Sequence, residues 1–435
     1  MQQLSDVLDV TPPAPSRASP RLPYDVLRLL VQEAGRTSQN DRQLRAIGGA
    51  FSLVCRDLRD DGQRLVWQTL AVPSFGVSDL FKHGSDHDRA RLSGMVRALK
   101  WDEKRAGGRM TGTKQLRTYW REESLRHFRE ILRLARQLMK VALFDLPRAH
   151  LEEVCNLLAS SPSAPCVTLL TIRGYLPLDQ NETIFAQQSL LPLLRRLSAL
   201  QSLDFSSPSI SSLAAPDTAT LPAEPFLRLQ CVIFDNDHVG PVEKSKDGFP
   251  FSSLRRLLTA AIDPSVLVHA ILHRYPTGDG WLRWISSPAF TSLTHLDIQS
   301  EHCFFPPSFP LIPPYLAPLP HLTHFAYRNL TTYIGIDRLK PAERAVFSAF
   351  LLALPPSLEV LLLDFCCPID DKPSGQGRPE DKIAQYLWSP SSRNLQRFKC
   401  RTWLERVSYT LSWDVEEKRY EETYTNISKE DLLPW

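Results

Sequence analysis

The chain has 435 residues, 43% of them hydrophobic and 23% charged, with a formal net charge of +3. That composition supplies a sizeable core and excludes global disorder. The charge is too close to neutral for a dedicated nucleic-acid binder, and eight cysteines without a CxxC or paired Cys/His clusters exclude an ordinary zinc site.

No uninterrupted apolar run is long enough to span a bilayer. The nearest, 346–367, is broken by Pro355 and Pro356 and carries Glu359 and Asp364. The N-terminus holds Asp6, Asp9, Pro12 and Pro13 rather than a basic and then an apolar stretch, so a secretory signal is not expected. These readings imply a cytoplasmic or nuclear protein with reduced thiols. Thirty-five prolines suit a chain of many short elements with frequent stops.

Residues 1–20 are polar and rich in Pro and Ser, which predicts a flexible leader. Helical spacing then appears in Val26, Leu27, Leu30 and Val31, just after Pro23. A polar insert at 35–41 precedes a second helical stretch with Leu44, Ile47, Phe51, Leu53, Val54 and Leu58. A third segment carries Leu65, Val66, Trp67 and Leu70.

The sequences LPYDVLRLL, SLVCRDLRD and QRLVWQTL, in that order, resemble the F-box, with a longer first loop than usual. The resemblance covers about residues 20–71, and the motifs look like those of the F-box-like proteins of fungi. It implies a three-helix module, 21–71, that docks on the Skp adaptor of a cullin ubiquitin ligase. By motif match, Leu22, Pro23, Val26, Leu27 and Leu30 make the first contact. Leu53, Val54, Cys55 and Leu58 support the middle, and Trp67 the end. The alternative reading is a helical cap of the array that follows, since solenoids need a polar-faced end unit.

Beyond residue 90 one pattern returns: apolar, two others, apolar, one other, apolar. The copies begin at Val96, Leu138, Val167, Leu200, Leu229, Leu254, Leu293, Leu322, Leu358 and Leu395. This is the L-x-x-L-x-L strand signature of a leucine-rich repeat. The predicted fold class is therefore α/β: a short three-helix module followed by an irregular solenoid over 90–401, with parallel strands and with helices and loops outside. Helices are expected over 119–137, 149–159, 266–272 and 342–354, where apolar residues recur at helical spacing. Strict alternation from Val407 to Val415 predicts a further strand in a C-terminal cap, 402–435.

No catalytic motif stands out. Residues 107–114 (GGRMTGTK) have the wrong Thr-Lys order for a phosphate loop, and a flexible Gly-rich loop is the expectation. His269 and His273, four apart on an expected helix, lack a third ligand, so no metal and no cofactor is expected. The reading is a non-enzyme. Residues 89–140 carry 15 Lys/Arg against 5 acids, which is read as the solvated side of a core helix rather than as a nucleic-acid site.

In a repeat arc the strand residues pointing away from the core line the concave side. By phase, a protein target would meet His295, Asp297, Gln299, His324, Arg328, Arg397, Lys399 and Arg401. The same phase adds Lys100, Lys140, Arg173, Asp204, Asp235, Arg256 and Asp364.

Overall fold

The computed structural model describes residues 29–30, 33, 46–51, 59–72, 75–102, 114–146, 148–174, 185–206, 222–235, 253–273, 284–300, 315–329, 354–365, 397–402, 407–414 and 419–426. The chain divides into two compact units, Met1–Thr69 and Leu70–Trp435, each taken by itself below.

In the first unit, residues 46–51 are helical and α1 spans Arg59–Trp67. A Cβ on Gly48 would lie 2.6 Å from the Gly62 carbonyl oxygen and 2.8 Å from Leu65 Cβ. The two helical segments therefore approach to near backbone contact, a distance only glycine permits. Leu29 and Leu30 are helical and exposed. Of the residues matched to the F-box, Leu22, Pro23, Val26, Leu27, Leu53, Val54, Cys55 and Leu58 lie outside the described residues. Trp67 closes α1 and is partly exposed.

The second unit is built on one sheet of 13 strands, ordered β1 to β13, so that each strand neighbours its sequence neighbours. These are β1 Thr69–Val72, β2 Ala98–Asp102, β3 Lys140–Phe144, β4 Leu169–Arg173, β5 Ser202–Ser206 and β6 Cys231–Asp235. They continue with β7 His269–His273, β8 His295–Ser300, β9 His324–Asn329, β10 Val360–Phe365 and β11 Arg397–Thr402. The ten strands β2 to β11 are all parallel. β12 (Val407–Asp414) and β13 (Arg419–Asn426) then close the order as antiparallel strands. This is the solenoid-like parallel sheet that the repeating pattern predicts.

One face of each strand is core. Leu99 and Trp101, Val141 and Leu143, Leu170 and Ile172, Leu203 and Phe205, Leu296 and Ile298 are all buried. They occupy the second and fourth strand positions, as a period of two requires. Helices α2 (Phe75–His83), α3 (Asp86–Ser93), α4 (Lys114–Leu134), α5 (Arg148–Ser160), α6 (Leu191–Arg196) and α7 (Ser253–Ala261) occupy the connections. Right-handed parallel crossovers need such returns. The α4 stripe Leu125, Phe128, Ile131 and Leu132 is wholly buried, and Phe128 meets Trp101 edge to face at 5.8 Å. The last carbonyls of α4 have no helical partner of their own. Ser161 Oγ donates to Leu132 O at 2.8 Å and Ser163 Oγ to Ala135 O at 2.6 Å, both from the next repeat.

A backbone device recurs at the entries of β3 to β10. Two consecutive N–H groups donate to one carbonyl of the preceding repeat. Met139 and Lys140 use Arg97 O, Thr168 and Leu169 use Met139 O, and Gln201 and Ser202 use Thr168 O. The chain of donors continues through Gln230–Cys231, Val268–His269, Thr294–His295 and Thr323–His324 to Glu359–Val360. This contact involves no side chain, so it tolerates the loose repeat: strand starts are 26 apart between His269 and His295 but 42 apart between Ala98 and Lys140.

Nine of the ten predicted copies precede observed strands by two residues. The copy at Leu254 does not. Its residues lie in α7, whose nine residues place Leu254, Leu257 and Leu258 at helical spacing. The strand it displaced is β7, entered through Leu267 and carrying Ala270 and Leu272 on the core face. The helix expected over 266–272 is thus a strand, and His269 and His273 are strand residues. Arg256, assigned by phase to the target side, is a helix residue. The helix expected over 342–354 falls, except for Leu354, outside the described residues.

Candidate binding face

The face of the sheet opposite the core is where side chains of chemical interest collect. Strand register fixes which residues share a row. The first strand positions form one continuous row: Ala98, Lys140, Leu169, Ser202, Cys231, His269, His295, His324, Val360 and Arg397. The third positions place Asp204 beside Thr171, and Asp297 between Ile271 and Ala326.

Toward the start of the sheet the face is held by two pairs. Arg173 makes a bidentate contact with Asp204, Nε at 3.1 and 3.0 Å from the two carboxylate oxygens and an outer nitrogen at 2.8 Å. Asp204 is buried and Arg173 a third exposed, so the guanidinium compensates a desolvated carboxylate. Lys100 places Nζ 4.4 Å from the centre of the Phe144 ring, a cation–π contact between neighbouring strands.

The middle of the face carries a histidine ladder. His295 and His324 stack with ring centres 4.0 Å apart and planes 16° apart. His269 lies 5.3 Å from His295 at a 48° tilt. Thr294 Oγ1 sits 2.8 Å from His295 Nδ1, and Thr323 Oγ1 sits 2.8 Å from His324 Nδ1. All three rings are half-buried. Burial, with the neighbouring rings adding to it, pushes His269 down to about 4, and the same two causes lower His295. Beside the ladder, burial raises the Cys231 thiol, so it stays protonated at neutral pH.

The residues expected to meet a target separate into two sets. His295, Asp297 and His324 are placed at register positions of the open face, with Asp297 buried. Gln299, Arg328, Arg397, Lys399 and Arg401 hold the register positions set by their strands, and their side chains lie outside the described residues. His269, expected on a helix, instead joins the row of His295 as the first residue of β7. Its signal was present: Leu267-Val268-His269 repeats the order of Leu293-Thr294-His295 and Leu322-Thr323-His324.

The basic block has a different character. On α4, Glu123 is buried and lies 3.4 Å from Lys82 Nζ and 3.7 Å from an Arg126 nitrogen. His127, four residues further on, is 1% exposed and stacks on Phe81 at 5.1 Å. Neither of its buried ring nitrogens has a hydrogen-bond partner. Burial first and the Arg126 charge second push its pKa down to about 4. The described part of this block thus packs a core helix, and Arg129 pairs with Glu153 of α5.

Among the described residues, no group of three or more His, Cys, Asp or Glu could hold a metal ion. His295 and His324 stack with nearly parallel planes, so their in-plane lone pairs do not converge on one point. Among the same residues no helix is long and apolar enough to cross a membrane. The chain matches no protein-family model, and no curated protein sequence matches it.

Proposed function

We propose that this chain is the substrate-recognition adaptor of a Skp–cullin–F-box ubiquitin ligase, holding a protein target on the open face of its parallel sheet. The observation that carries the reading is the order LPYDVLRLL, SLVCRDLRD, QRLVWQTL ahead of a repeat array. A small helical module buries little surface alone and gains stability on a partner. The exposed Leu29 and Leu30 are consistent with such docking.

The chemistry is positioning. The first module tethers the ligase, the sheet holds the target, and proximity raises the local concentration of target lysines near the conjugating enzyme. No residue of this chain makes or breaks a bond.

The test is capture of the Skp adaptor by the purified full chain. Capture that Leu22→Asp with Leu27→Asp abolishes supports the reading. Absence of capture, or capture indifferent to both changes, leaves the second reading, a stand-alone interaction scaffold without ligase docking. The longer first loop at 35–41 favours that second reading.

A further inference from the structure

We propose that the row His269, His295 and His324 is a proton-regulated contact for an acidic segment of the bound target. The inference rests on the target-binding reading above and names the chemistry of the partner.

Three observations carry it. The first is the ladder, in which three successive strands present imidazole rings in one register row, stacked or tilted against each other. Two imidazoles 4.0 Å apart oppose one another's charge, so a bound counter-charge is what lets them protonate together.

The second is the threonine before each of two rings. The Thr294 hydroxyl is 2.8 Å from His295 Nδ1 but 3.3 Å from Val268 O, which already accepts the N–H groups of Thr294 and His295. Thr323 repeats this, 2.8 Å from His324 Nδ1 and 3.2 Å from Thr294 O, which accepts the N–H groups of Thr323 and His324. The one hydroxyl hydrogen goes either to the carbonyl, with Nδ1–H donating to the hydroxyl, or to Nδ1, with the ring hydrogen on Nε2. When the ring takes a proton, the hydroxyl donates to the carbonyl and accepts from Nδ1–H. In the protonated ring Nδ1–H is held by the hydroxyl and Nε2–H is the second donor, so protonation presents an N–H together with positive charge to an acceptor on the target.

The third is the charge of the face. Among the first-, third- and fifth-position residues of β2 to β11 whose side chains are described, Lys100, Lys140 and Arg173 stand against Asp204 and Asp297. One of those Asp, Asp204, is tied to Arg173. Each ring that takes a proton adds one positive charge to this face, and an acidic segment gains accordingly.

The surrounding titratable groups are few. Cys231 of β6 flanks His269 in the row, with Asp235 further along that strand. Asp297 of β8 lies two residues beyond His295, and Glu359 immediately precedes Val360, the register partner of His324. His273, Arg328 and Asp364 occupy the fifth positions of β7, β9 and β10. Burial and mutual repulsion keep His269 and His295 neutral at neutral pH before a target binds, which sets the response on the acid side.

The experiment uses the full chain and a fluorescein-labelled Glu-Gly repeat peptide, with an Arg-Gly peptide of equal length as control. Anisotropy is read near pH 7.5 and 5.5 at constant ionic strength. The acidic peptide tightens by about tenfold on acidification, the change that an average net uptake of about half a proton on binding gives over two pH units. The control peptide does not tighten. His295→Asn with His324→Asn removes the step while circular dichroism is unchanged. His324→Lys, charged at both values, binds the acidic peptide at the higher pH as the unaltered chain does at the lower. No step, the same step in the double variant, or tightening of the control peptide overturns the proposal. Skp capture is scored separately: if it persists while the step is absent, the histidine contact fails and the ligase reading stands. If capture is lost while the step is present, the reverse holds.

Discussion

His127 makes the acid stability of the second unit measurable. Its ring is buried against Phe81 with both nitrogens unpartnered, and its pKa is pushed down to about 4. In the unfolded chain it titrates near its ordinary 6.5. The folded value is the lower one, so between these two limits the unfolded state binds the proton and the native state does not. Stability is unaffected above about pH 6.5 and falls as the pH drops toward about 4. Each unit is worth about 1.4 kcal/mol, so the loss approaches roughly 3 kcal/mol. Burying an unpaired ring nitrogen also costs free energy at every pH, on the order of 1–3 kcal/mol. His127→Phe keeps the stack and removes both terms. Urea denaturation of the full chain between about pH 7.5 and 4.5 reads the difference. The variant is expected to match or exceed the parent at neutral pH and to lose less stability in acid. His269 and His295 contribute an acid slope of the same sign, so it is the difference between the two proteins that isolates His127. A variant as acid-sensitive as the parent, or weaker at neutral pH, refutes the reasoning.

Three further outcomes follow from packing. Trp101→Ala leaves a cavity beside Phe128 and lowers stability by about 3–5 kcal/mol, seen as a lower urea midpoint. Gly174→Ala is strained at φ +146° and brings a Cβ within 2.7 Å of Asp145 Cα, so it costs on the order of 1–3 kcal/mol; an unchanged melting curve contradicts this. Gly48→Ala drives a methyl against the Gly62 carbonyl and loosens the first unit, with faster amide exchange over 59–69 and slow exchange retained in the sheet.

Much of the sheet was legible because its pattern is physical. A strand with one buried face must alternate, and the second and fourth positions of β2 to β6, β8 and β9 carry large apolar residues. The pattern failed at Leu254 because a short amphipathic helix also spaces leucines three and four apart, and Ala270 hid the true strand behind a small residue. Phase alone found His295 and His324 but lost His269 to the same error. The Thr–His pairing and the Asp204–Arg173 contact join residues about 30 positions apart or turn on side-chain geometry, which no one-dimensional pattern contains. The buried setting of Glu123 and His127 was equally hidden, since both lie in a stretch whose composition reads as solvated.

The paired N–H contacts at the entries of β3 to β10 separate two quantities that most folds bind together: how long a connection is, and where the next strand begins. Each of these strands takes its register from a carbonyl in the repeat before it, so a connection can lengthen at a cost that grows only with the logarithm of its length. A tag or sensor peptide placed between Ser206 and Pro222 should leave every row of the open face where it was. One residue added between Gln230 and Cys231 would instead turn β6 over, sending its apolar side outward and breaking the row next to His269. The array is permissive about what lies between its strands and strict about the two residues that open each one.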